Sequence, residues 1–215
     1  MLENKLSTLD MVSPHTNRVT HVDIDFLEGL DNGAEGKTRV FGKIDSKKAI
    51  RLVIKRVSLT THDSDCYINI WRCLKEASLP VVPTVRKVNE HDIAMTDLCS
   101  DGSEFYGKSR NWYPETHTWL LVDVFNRLNF RDVRNCANTI ANHATKNGIG
   151  LPGDDPLELL IHPDGSWNLI ILDIADTLFT ASSKNLKKHN QNRVRDFIDF
   201  LDATKKGNRY YFKRR

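Results

Sequence analysis

The sequence contains no Cys-x-x-Cys pair: its four cysteines, Cys66, Cys73, Cys99 and Cys136, lie far apart. That excludes a zinc ribbon and a disulfide scaffold and reads as four reduced thiols. No apolar run approaches the roughly 20 residues of a membrane-spanning helix, and Met1 to Met11 lacks the apolar stretch of a secretory signal. The expectation is a cytoplasmic protein with no membrane partner. An excess of one charge is also missing. With 31 Lys+Arg against 28 Asp+Glu the net charge is only +3, too small to imply nucleic acid by itself. No internal repeat occurs, so solenoids and propellers are out. What remains is ordinary: 215 residues, 40% hydrophobic and 27% charged, enough for one large domain or two small lobes.

Along the chain, residues 1–20 are polar and aperiodic and read as a flexible leader. From His21 to Phe26 polar and apolar residues alternate, and Ala49 to Val57 is a β-branched run, so both read as strands on either side of a glycine cluster, Gly29, Gly33, Gly36 and Gly42. Ser64 to Ala77 has helical spacing, with Ile68, Trp71 and Leu74 on one face and Ser64 as N-cap. Thr84–Val88 and Asp92–Leu98 read as two more strands. Residues 21–98 therefore form a β-rich lobe with one helix. Residues 99–116 are polar and read as a linker or insertion. The period then turns helical from Trp119 to Ala144, with a stop at Lys146-Asn147-Gly148. Glu158–His162 and Asn168–Leu172 read as a hairpin turned at Pro163-Asp164-Gly165, and Asn192–Ala203 as a last helix. Residues 117–204 form a helical lobe that carries this hairpin. The chain closes on a basic tail, residues 205–215, with six cations and three aromatics; it reads either as a solvated end or as an arm for RNA.

Three stretches carry chemistry. In Asp31-Asn32-Gly33-Ala34-Glu35-Gly36-Lys37-Thr38, glycines let a backbone approach phosphates closely. Gly36-Lys37-Thr38 fits the end of a Walker A loop, but Asp31 stands where the first glycine belongs, and a strand follows where a helix is needed. A phosphate-covering hairpin loop and a glycine hairpin with no ligand are the other readings. In Leu52-Val53-Ile54-Lys55, a lysine in an apolar strand is costly to bury unless its ammonium meets an anion; an edge lysine reaching water is the alternative. In the third, Asp173 directly follows the apolar strand ending in Leu172, a place suited to a Mg²⁺ ligand. Upstream lies Gly150-Leu151-Pro152-Gly153-Asp154-Asp155-Pro156-Leu157-Glu158, where Asp154 is placed to accept a proton and Glu158 to share a metal; the alternative is a loop without catalysis.

The order of these elements resembles the protein-kinase-like superfamily, which implies an α+β, two-lobed protein-kinase-like fold with a reduced helical C-terminal lobe. Gly33-Ala34-Glu35-Gly36 and the strand Ala49–Arg56 are most similar to the small atypical kinase that partners the tRNA threonylcarbamoyl-adenosine synthase. The resemblance implies that Gly33, Ala34, Glu35, Gly36 and Lys55 bind the phosphates of ATP, that the backbone around Asp97 meets adenine, that Asp154 is the catalytic acceptor with Lys55, and that Asp173 and Glu158 hold Mg²⁺. Departures accompany it. Pro152 replaces the family's histidine, no asparagine follows Asp154 at the family's distance, and only 42 residues (215 − 173) follow Asp173, too few for an activation segment and a peptide-docking lobe. The expected function is a compact Mg–ATP phosphotransferase acting on a protein or small molecule; the alternatives are a pseudokinase, sensing nucleotide or docking a partner, and an RNA-associated protein working through its tail.

Overall fold

The computed structural model describes residues 8–31, 37–44, 47–57, 63–106, 119–153, 156–180 and 183–212. The chain divides into two units, Met1–Cys73 with Val82–Ser100, and Leu74–Val81 with Asp101–Arg215.

The first unit is built from β1 (Thr8–Val12), β2 (Val19–Asp31), β3 (Lys37–Ile44), β4 (Lys48–Arg56), β5 (Val85–Lys87) and β6 (Asp92–Thr96), with α1 (Ser64–Glu76) inserted between β4 and β5. All pairings are antiparallel, and the order β1-β2-β3-β4-β6-β5 closes into a barrel where Val12 pairs with Lys87. Alternation puts Leu9, Met11, Val22, Val40, Leu52, Ile54 and Ala94 inside, since a strand sends successive side chains to opposite faces. The two-lobed kinase-like fold expected from the sequence is thereby corrected: among the described residues a closed six-stranded barrel and four helices stand in its place. The reason lies in the first strand. Residues 8–12, expected to belong to a flexible leader, alternate as Leu9 and Met11 inward against Thr8 and Asp10 outward, pair with β2 and supply the strand that closes the sheet.

Gly42 answers to the barrel as well. β2 carries an irregularity between Ile24 and Phe26, which presses its backbone against β3. A Cβ at position 42 would lie 2.3 Å from the Asp23 carbonyl oxygen and 2.9 Å from Val22 Cγ1, so only glycine fits. Helix α1 starts one residue earlier in capping terms than Ser64 suggests: the Asp63 carboxylate accepts from the Cys66 amide at 2.7 Å, while the Ser64 hydroxyl donates to the Asn89 carbonyl at 2.6 Å.

The second unit contains β7 (Glu104–Tyr106), α2 (Trp119–Arg127), α3 (Phe130–Lys146), β8 (Ile149–Gly150), β9 (Glu158–Ile161), β10 (Trp167–Ile170), β11 (Leu178–Phe179) and α4 (Ser183–Phe212). β10-β9-β7 form one antiparallel sheet and β11-β8 a small second one. Residues 104–106, expected within a linker, thus contribute a strand with Phe105 and Tyr106 buried. Asn129 caps α3 by accepting from the Arg131 amide at 3.1 Å. At the helix's other end Gly148 takes φ +71°, the left-handed value a glycine reaches without strain. α4 is far longer than the segment Asn192–Ala203 and runs into the stretch read as a tail, as far as Phe212. There the Lys205 ammonium donates to the Leu128 carbonyl at 2.9 Å and lies 4.4 Å from the Phe130 ring centroid.

Candidate functional site

In the first unit, the outward face of β4 carries Arg51, Val53 and Lys55 in alternation. Lys55 is 2% exposed, with its ammonium 5.4 Å from the centroid of the Tyr67 ring on α1. A desolvated ammonium gains from an aromatic face, and α1 supplies that face because Tyr67 and Trp71 are one helical turn apart. Trp71 fixes the helix by donating from Nε1 to the Val82 carbonyl at 2.8 Å. The snorkelling alternative for Lys55 does not describe a side chain this deeply buried.

Asp97 follows β6 directly and is 3% exposed. The sequence reading valued this position for its backbone, but the structure gives its carboxylate the leading part. Arg39 on β3 donates from Nε to Asp97 Oδ2 at 2.7 Å, and Arg51 Nε lies 2.5 Å from the same oxygen. Arg39 also donates to Glu28 on β2 at 2.6 Å. Burial works against the Arg39 charge, yet the hydrogen bond to Glu28 and the charge of Asp97 outweigh it and hold the guanidinium above its usual pKa. Asp97 is therefore an ionic tie across three strands. The partners come from residues 39 and 51, which no local motif around position 97 could reveal.

In the second unit, Glu158 opens β9, is 3% exposed, and stands opposite Ile170 at the end of β10. Asp173 lies three residues beyond Ile170 and is half-buried. Glu158 thus sits in the sheet at the open end of the hairpin, and Asp173 follows β10 beyond that end. Two carboxylates suit a hard divalent cation such as Mg²⁺, which takes oxygen ligands and retains water. Among the described residues no third His, Cys, Asp or Glu joins them as a ligand group. Asp154 and the loop residues Gly33, Ala34, Glu35 and Gly36 lie outside the described residues.

A polar chain that the sequence reading missed crosses the same three-stranded sheet. Asn168 Nδ2 and His162 Nε2 are 2.8 Å apart, His162 Nδ1 and the Ser103 hydroxyl 2.6 Å, and Ser103 donates to Asp101 at 2.5 Å. The arrangement resembles a nucleophilic triad in composition only. Ser103 is 2% exposed and hands its proton to a carboxylate, so its role is to join the sheet edge. Hydrogen bonding from Ser103 holds the Asp101 carboxyl below its ordinary pKa.

No protein-family model matches the chain, and no curated protein matches it. Among the described residues no helix is long and apolar enough to cross a membrane.

Proposed function

We propose that the protein binds a nucleoside triphosphate and works as a Mg–ATP-dependent phosphotransferase. The observation that carries this reading is Lys55: an ammonium 2% exposed in an apolar strand is the kind of group that meets phosphate oxygens once a ligand arrives. The carboxylates at the end of the β9–β10 hairpin support it independently, because phosphoryl transfer depends on positioning and on neutralising charge. A Mg²⁺ ion held there would shield phosphate oxygens. Within the first unit Lys55 would be the phosphate-holding group; within the second, Glu158 and Asp173 would be the cation-holding groups and Asp154 the proton acceptor. The fold is not part of the support, since the barrel replaced the architecture from which the reading first came.

The test is melting of the full chain with ATP and Mg²⁺, followed by release of labelled phosphate. Ligand at a hundred times its Kd stabilises by about 2.7 kcal/mol, or about 5–10 °C for a chain of this size. Lys55→Met should abolish that ATP-dependent shift, read against the variant's own ligand-free melting temperature, while Lys55→Arg, which keeps the charge, should retain part of it. No shift in the wild type rejects the reading. A shift with no phosphate transfer to water or to any acceptor makes the protein a nucleotide-binding module without turnover, the reading that Pro152 and the missing asparagine after Asp154 favour.

A further inference from the structure

Phe26 is 60% exposed, the most exposed large apolar side chain among the described residues of the barrel, and it does not stand alone. It pairs in register with Phe41 on β3, which pairs in register with Arg51 on β4. The two rings sit 5.7 Å apart, tilted by 44°, and the Arg51 guanidinium carbon lies 5.2 Å from the Phe41 centroid. Three adjacent strands thus present a ring, a ring and a planar cation in one row on the outside of the barrel. Adjacent strands are about 4.8 Å apart, so the row spans about 10 Å, room for two stacked bases.

The surroundings select the occupant. Two residues along β3 from Phe41 comes Lys43, half-exposed and 3.8 Å from Asp25, and the turn into β4 adds the exposed Lys47. On the other side the row is bounded by the Glu28–Arg39 pair. An apolar docking patch for a folded protein would be a continuous area of several hundred Å²; here two rings are enclosed by charge. Flat apolar faces with ammonium groups at one end match a chain of bases joined by phosphates. Asp97 Oδ2 lies 2.5 Å from Arg51 Nε, a charge contact that keeps the guanidinium close to the row.

We propose that the outer face of β2, β3 and β4 binds single-stranded nucleic acid, with Phe26, Phe41 and Arg51 stacking bases and Lys43 and Lys47 contacting phosphates. The row reads ring faces, so oligo-uridylate and oligo-thymidylate bind alike and duplex does not. The experiment is fluorescence anisotropy of the full chain with labelled eight-nucleotide oligo-uridylate, oligo-thymidylate and a hairpin duplex at several salt concentrations. Phe26→Ala, at an exposed position, should weaken single-strand binding about tenfold or more with an unchanged melting temperature, and Phe26→Trp should preserve binding. The pair Lys43→Ala and Lys47→Ala should reduce the slope of log affinity against log salt by about 1.4, two contacts at about 0.7 each. A chain with Lys213, Arg214 and Arg215 changed to Ala should bind as the wild type does. Undetectable binding of either oligonucleotide at low salt overturns the proposal. So does wild-type affinity in Phe26→Ala, loss of binding confined to the tail variant, or preference for the duplex.

Discussion

Inside the barrel, Val22, Val40, Leu52 and Ile54 meet as apolar side chains with no hydrogen-bonding group among them, whereas the second unit places a fully buried asparagine where α3, β8 and α4 come together. Asn190 accepts from the Leu151 amide at 2.8 Å and donates to the Ile149 carbonyl and the Thr145 hydroxyl, each at 2.9 Å. The difference lies in how each interior fails. An apolar core loses stability in proportion to the volume removed, while removing a buried polar hub strands every group it had satisfied.

The sharpest way to break this comparison is Asn190→Leu. It leaves a buried amide and a buried carbonyl without partners, each costing about 1–3 kcal/mol. We expect about 3–4 kcal/mol in total, a fall of about 6–16 °C in melting temperature. Ile54→Val, in the barrel core, should cost about 1 kcal/mol; equal losses for the two variants in chemical denaturation would refute the contrast. Next comes Gly42→Ala. Its Cβ meets backbone rather than the tip of a flexible side chain, so β2 and β3 must separate, at about 1–3 kcal/mol. Gly29→Ala, with nothing within 4 Å of its Cβ, serves as the mild control on β2.

The smallest expected effect is a pH dependence. The Asp101 carboxyl is held below its ordinary value in the folded chain, so the unfolded chain binds that proton more tightly. The stabilisation is complete above the ordinary carboxylate pKa of about 3.9 and is lost as pH falls through the lower folded value. With its side chain 58% exposed, the contribution is under about 1 kcal/mol. Asp101→Asn should reduce the loss of melting temperature between pH 5 and pH 3, and an unchanged loss would show that the Ser103 contact contributes nothing.

What was legible in the sequence was whatever neighbours in the chain decide. The turn at Pro163-Asp164-Gly165 exists because Gly165 takes φ +85° and Asp164 accepts from the Ser166 amide; the stop after α3 follows from Gly148; the strands from residues 21 and 49 follow from alternation and β-branching. Barrel closure was not legible. It depends on Val12 meeting Lys87, a partner 75 positions away (87 − 12), and five residues of modest alternation in a polar stretch give no hint of it. Asp97 tells the same story. Its partners, Arg39 and Arg51, become neighbours only through the register of β3, β4 and β6, so its side chain passed unnoticed while its backbone drew the interest. Asn190 lies in a polar run of α4 where nothing local marks it as buried.

The pair Val12 and Lys87 has one more meaning. A sheet closed on itself offers no free edge on which another chain can build, yet here the ring is shut by one residue pair at the end of a five-residue strand. Among the described residues the barrel's narrowest join is therefore also the one that guards against edge-to-edge association on that side. Brief release of β1 would expose the backbone groups of β2 and β5 together, and amides there should exchange with solvent far sooner than those of β3 and β4.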